Sequence, residues 1–253
     1  MQAMTKGKTV TELRIQNREE KIIKCALEII NESGFASLKM ENLHKRADCT
    51  KGTLYNHFIN REDLLCEIAT RYSSSLLSYY QRLDAYEGSS REKMMALFLA
   101  YQVFCFSNPA LFTCVVQLQN PSLLARCSSK RLDNYRKEEM RLVLHMTVII
   151  QEAIDQGDIE AKYKTKVFEL AFTSWAAAFG NVSLMMSSQA DFLTQQADKE
   201  EQLFLATNVS LDGLGWRPLS KEAEFKSTWN KVGRRYFEEE LSKLRSADLY
   251  ELI

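Results

Sequence analysis

Long stretches of this chain run without glycine or proline, and that constrains its fold more than any other feature. Only 9 glycines and 3 prolines occur in 253 residues. So few backbone breakers predict an all-α protein. The length allows one large domain, or a small one beside a medium one, with a sizeable core.

Apolar periodicity locates the helices. Ile22, Ile23, Ala26, Leu27 and Ile30 recur at helical spacing, predicting a first helix over about 18–33 with one buried stripe. Gly34 stops it where a left-handed residue is wanted, and residues 1–17, polar and aperiodic, read as a basic tail. A short second helix follows over about 38–46, then a turn at Asp48 and Cys49. Thr50 caps a third helix that ends at Ile59 and Asn60. Asn60 caps a fourth, with Glu62 and Asp63 in its first turn, where the helix dipole favours them. That fourth helix could reach Leu83, a rod of about 30 Å or more at ~1.5 Å per residue. Further helices are expected over 91–107, 109–119, 130–156, 165–188 and 199–211, with Pro121 opening an irregular segment and 189–197 a polar break. One last amphipathic segment is expected over 221–245.

The third helix carries the chemistry. A helix this short cannot be stable alone, so Thr50-Lys51-Gly52-Thr53-Leu54-Tyr55-Asn56-His57-Phe58 must dock on its neighbours. Leu54 and Phe58, four apart, share the docking face. Thr50, Lys51, Thr53, Tyr55 and His57 are left outward, offering hydroxyls, a cation, a phenol and an imidazole to phosphate oxygens and base edges. The segment reads as a DNA-recognition helix. The plainer reading, surface and packing residues of a small bundle, is the better one for any of these residues taken singly.

Charge is compatible with a local DNA surface and not with a general polyanion binder. Lys+Arg and Asp+Glu balance at 33 each, while residues 1–60 carry ten cations against seven anions, a modest +3. The six cysteines (25, 49, 66, 105, 114 and 127) have no CxxC or Cys/His metal spacing. No metal and no cofactor are expected, and neither a signal segment nor an apolar run long enough for a membrane stands out. A reducing cytoplasm is the default compartment. No catalytic arrangement stands out either, so an enzyme is not expected.

Residues 21–65 resemble the N-terminal domain of tetracycline-repressor-type (TetR) transcriptional regulators. The matching stretches are Ala26-Leu27-Glu28-Ile29, Gly34-Phe35, Lys51 to Phe58 and Arg61-Glu62-Asp63-Leu64-Leu65. Weaker echoes of the family's variable domain follow at 104–112, 149–159 and 211–215. The resemblance implies a three-helix helix-turn-helix unit joined by a long helix to a larger helical domain for effector binding and dimerisation. It also implies a homodimer on a near-palindromic double-stranded operator, with half-sites about one helical turn apart, released by a small molecule. Carried onto this sequence, Lys39, Thr50, Lys51, Gly52, Thr53, Tyr55, His57 and Arg61 would face DNA. Three positions depart from the family pattern: His44 replaces a small residue, Asp48 replaces the turn glycine, and Lys39 replaces a capping hydroxyl. Asp tolerates left-handed backbone better than most residues, so the turn can survive.

The expected organisation is 1–17 tail, 18–64 DNA-binding domain, 65–218 effector and dimerisation domain, and 219–253 amphipathic extension. Tyr79, Tyr101, Phe104, Met140, His145, Trp175 and Phe179 are candidate pocket residues for an apolar or aromatic effector. His145 has the plainer reading of a satisfied core histidine. Ala177, Ala178 and Gly180, with Leu211 on the next helix, are candidates for the dimer interface; tight packing within one chain is the alternative. Two other functions stay open: a cysteine-based redox sensor, and a helical interaction module that has lost DNA binding.

Overall fold

A computed structural model describes residues 9–187 and 198–246. Every element of regular structure in it is helical. Contacts divide the chain into two compact units. One holds the residues up to Ala69 together with Ala110–Tyr135; the other holds Thr70–Pro109 and the residues from Arg136 onward. The first unit is thus discontinuous in sequence, and larger than an N-terminal domain ending at residue 64.

In the first unit, α1 (Val10–Ser33) buries Ile22, Ile23, Ala26, Ile29 and Ile30. It starts earlier than expected. Residues 10–17 are helical rather than tail, because Thr9 and Glu12 form a reciprocal capping box. Lys6 and Lys8 lie outside the described residues. A single 3-10 turn (Phe35–Ser37) leads to α2 (Met40–Arg46) and α3 (Lys51–His57). Leu43, Leu54 and Phe58 have no accessible surface, and burying each large apolar side chain contributes about 1.5–3 kcal/mol. α4 (Arg61–Gln81) starts in this unit, with Asn60 Oδ1 accepting from the Asp63 amide at 2.7 Å. α6 (Pro109–Leu118) and the single turn α7 (Pro121–Leu124) follow the helix α5 of the second unit. The segment after Pro121 is therefore helical where irregular chain was expected. α8 (Ser129–Gln156) also starts in the first unit, and its residues from 136 onward belong to the second.

The second unit is built around α5 (Ser90–Ser107), buried on nearly every side. A helix apolar all round belongs at the centre of a core. Around it lie α9 (Val167–Ser187), α10 (Lys199–Gly213), α11 (Lys226–Tyr236) and α12 (Glu238–Ser246). The expected amphipathic segment over 221–245 holds two helices, broken at Phe237, whose side chain is completely buried. Both pack on α5, and they bury Trp229, Val232, Leu241 and Leu244. The expected polar break at 189–197 lies outside the described residues.

Arg91 holds this unit from inside. Its side chain is wholly buried, donating to the Trp216 carbonyl at 2.6 Å and Asn208 Oδ1 at 3.1 Å and pairing with Asp212 at 2.8 Å. The Phe225 ring covers its guanidinium. Burial lowers the Arg91 pKa, while hydrogen bonds from Ser220 and the Arg91 charge hold Asp212 below the usual carboxylate range against its own desolvation.

Candidate nucleic-acid interface and effector cleft

The turn before α3 solves the two departures that matter most. Asp48 sits at φ 50°, the left-handed conformation a glycine would take more easily. His44 turns its ring onto that same turn, with Nδ1 donating to the Cys49 carbonyl at 3.2 Å. The bulky imidazole therefore ties α2 to the turn and does not wedge α3 away. Thr50 caps α3, its hydroxyl accepting from the Thr53 amide at 3.0 Å.

α3 presents Thr50, Lys51, Gly52, Tyr55 and Asn56 to solvent, with Thr53 at the edge. Tyr55 is 44% exposed although aromatic. Lys39 is exposed at the start of α2 and makes no side-chain cap. Asn56 was missed in the sequence; its place beside Tyr55 on a short docked helix was the available signal. Arg61 is half-buried, with its guanidinium over the Phe35 ring and near Glu62.

His57 departs from the expected outward set. Its side chain is largely buried, with Nδ1 3.6 Å from Glu19 of α1. The ring faces Glu19, which lies far off along the chain, and that distance hid this from sequence reading.

The candidate effector residues scatter. Tyr101 and Trp175 line a cavity of about 20 Å³ with Met94, Phe98, Met146 and Ser174, room for a single water. His145 lines a separate cleft of about 320 Å³ with Leu83, Tyr86, Lys93, Val148 and Glu152, at the small end of ligand sites. Leu97 is common to both. Phe104 is core, edge-on to Tyr72 and Tyr79. Tyr79 also stacks on Phe237, so both are spent in packing. Met140 is exposed, and Phe179 rests on Trp175.

Charge in the cleft is fixed by two pairs. Lys93 Nζ lies 2.7 Å from Glu152, and His145 Nε2 lies 3.5 Å from Asp84. Burial pushes the His145 pKa down, with Asp84 opposing, so the ring is neutral near pH 7. Two carboxylates then face one ammonium.

The candidate dimer residues also divide. Leu211 is completely buried in its own chain and cannot face a partner, and Ala178 turns inward to the small cavity. Ala177 and Gly180 are half-buried. The exposed apolar surface of α9 and α10 is instead Phe168, Phe172, Leu184, Leu205 and Val209. Phe172, Trp175 and Phe179 continue it as a run of touching rings.

All six thiols are raised above their ordinary pKa, each chiefly by burial, Cys105 and Cys114 to about 12. Peroxide attacks thiolate, and reactive sensor cysteines have lowered pKa values. Cys25, Cys66, Cys105 and Cys114 are buried, and Cys49 and Cys127 half-buried.

A short docked helix with outward hydroxyls, a lysine and an exposed tyrosine, set by a tight turn on a second helix, defines a helix-turn-helix DNA reader. Residues 22–68 match the family model described as bacterial regulatory proteins, tetR family. A curated relative is the fatty acid metabolism regulator protein of Bacillus subtilis (strain 168), 25% identical over 142 residues, 55% of this chain and 69% of that protein. Solved structures share the fold. A tetR-family regulatory protein from Rhodococcus RHA1 superposes with a TM-score of 0.60 at 15% identity, covering 79% of this chain and 97% of that one. A Clostridium perfringens protein described as a candidate fatty acid metabolism regulator gives 0.56 at 19%, covering 76% and 97%. A gamma-butyrolactone receptor gives 0.59 at 20%, covering 87% and 98%. Among the described residues no single helix is long and apolar enough to cross a membrane.

Proposed function

We propose that the protein is a ligand-responsive transcriptional repressor that binds a near-palindromic operator as a homodimer. The observation carrying this reading is the exposed face of α3, where Lys51, Thr53 and Tyr55 stand outward on a helix held by Leu54 and Phe58. The apolar face of Phe168, Phe172, Leu205 and Val209 supports a second copy as partner, since contiguous exposed apolar patches mark interaction surfaces. The effector enters the second unit and shifts the population between two orientations of α4. Only a difference in its affinity for the two can drive release, and about 1–3 kcal/mol of coupling is typical.

The effector is apolar or aromatic and carries no net negative charge, because the cleft holds one more carboxylate than ammonium. An acyl carboxylate is the second reading, favoured by the B. subtilis relative's name. The central experiment is an anisotropy titration of the DNA flanking the protein's own gene against scrambled DNA near physiological salt. Saturable, tighter binding to the flanking DNA is expected; equal weak binding to both would overturn the reading for that site. Dodecyltrimethylammonium and dodecanoate, added to the complex, separate the two effector classes by which of them releases DNA.

A further inference from the structure

We propose that Arg131, in the first turn of α8, is the positioning residue that holds the recognition helix α3 in its DNA-reading pose. The inference rests on α3 being the DNA reader. Arg131 reaches α1, α3 and α4. Its fork spans the Glu19 carboxylate of α1 at 3.2 and 3.0 Å, and Nη1 also pairs with Glu67 of α4. Nη2 donates to the His57 carbonyl at 3.3 Å, and the Phe58 ring lies 5.0 Å under the guanidinium. His57 and Phe58 are the last residue of α3 and its cap, where helical carbonyls lack partners of their own. The Arg131 side chain is only 17% exposed, and its donors point inward. It grips α3 and does not contact phosphate.

Residues just before it extend the clasp. The Arg126 carbonyl accepts from Asn60 at 3.0 Å, and the Cys127 thiol donates to the Glu62 carbonyl at 3.3 Å. Ser128 donates its amide and hydroxyl to Asp63 at 3.0 and 2.6 Å. The α7–α8 connection thus closes over the α3–α4 junction. Further along α8, His145, Val148, Ile149 and Glu152 line the cleft. α8 thus contributes to the clasp in the first unit and to the cleft wall in the second.

The test compares Arg131→Met and Arg131→Lys with the parent, each checked by circular dichroism and studied well below its unfolding temperature. Amide exchange across Thr53 to Phe58 should quicken about tenfold in Arg131→Met, with α5 unchanged, because the His57 carbonyl and the Glu19 and Glu67 carboxylates lose the guanidinium. Affinity for the flanking DNA should fall about tenfold with the salt slope unaltered, since no phosphate contact is lost. Lysine should restore little, because one ammonium cannot span the fork. If Arg131→Met does not fold, Arg131→Lys carries the same comparison. Exchange and affinity both within about twofold of the parent would overturn the proposal, as expected of a surface ion pair. A salt slope smaller by about one would overturn it too, making Arg131 a phosphate contact. A parent that binds no DNA would sink the functional reading alone, and the exchange arm would still judge the clasp.

Discussion

Gly52 has no internal reason to be glycine. A Cβ there would meet nothing nearer than the Thr50 hydroxyl at 3.9 Å, and its backbone is ordinary helix. Glycine in a helix costs about 0.5–1 kcal/mol relative to alanine, so close approach of another surface is the reason left. Gly52→Ala should raise the unfolding temperature in a thermal melt and weaken binding in the anisotropy assay; unchanged affinity would remove the DNA explanation. His145 makes a prediction about acid. Its folded pKa lies below the ordinary 6.5, so the unfolded chain takes up its proton first as pH falls. Stability should therefore drop as pH goes below about 6.5, and level off once the folded pKa is passed. Urea unfolding at pH 7.5 and 5.5 should show that loss, smaller in His145→Gln. At this scale the sequence was legible where the signal was local, as at Thr50, Asn60 and Asp48. His57 was misread because Glu19, the carboxylate its ring faces, lies on another helix far off along the chain. Aromatic content could not separate cavity from core either: Phe104 and Trp175 look alike in sequence, and only packing parts them.

Helix ends followed the same division. Gly34 and Gly157 both sit at positive φ where the first helix and α8 were expected to stop. The start of α1 was missed because Val10, Leu13 and Ile15 are exposed, so they lack the periodicity of a buried stripe; the Thr9–Glu12 capping box was the signal. The break between α11 and α12 carries no glycine or proline, since burial of Phe237 sets it. Gly233, just before that break, is squeezed: a Cβ would lie 3.1 Å from Leu241 and 3.7 Å from Leu99. The extension therefore closes on α5 at van der Waals range. Gly233→Val should cost about 1–3 kcal/mol by overpacking, visible as a lower denaturation midpoint with the far-UV spectrum retained. A midpoint at or above the parent's would mean the contact yields.

For the whole molecule, the exposed apolar face on α9 and α10 bears on the proposed dimer. Phe172 is 63% exposed and Leu205 53%. Leu205→Glu should shift the mass measured by light scattering from dimer to monomer and weaken operator binding with it, because two half-sites need two linked readers. A variant that stays dimeric would move the interface elsewhere. Sequence reading named Leu211, which is buried in its own chain, where Leu205 on the same helix is exposed; the two carry the same side chain and differ only in which side of α10 they occupy.

The discontinuity of the first unit bears on engineering. Regulators of this kind invite head-swapping, in which one protein's operator specificity is grafted onto another's sensor by cutting near residue 64. Here such a cut would strand Glu62, Asp63 and His57 from the chain between Arg126 and Arg131 that grips them. A transferable reading head for this protein is two pieces of sequence, and a chimera that carries the first without Ala110–Tyr135 would inherit the recognition residues without their support.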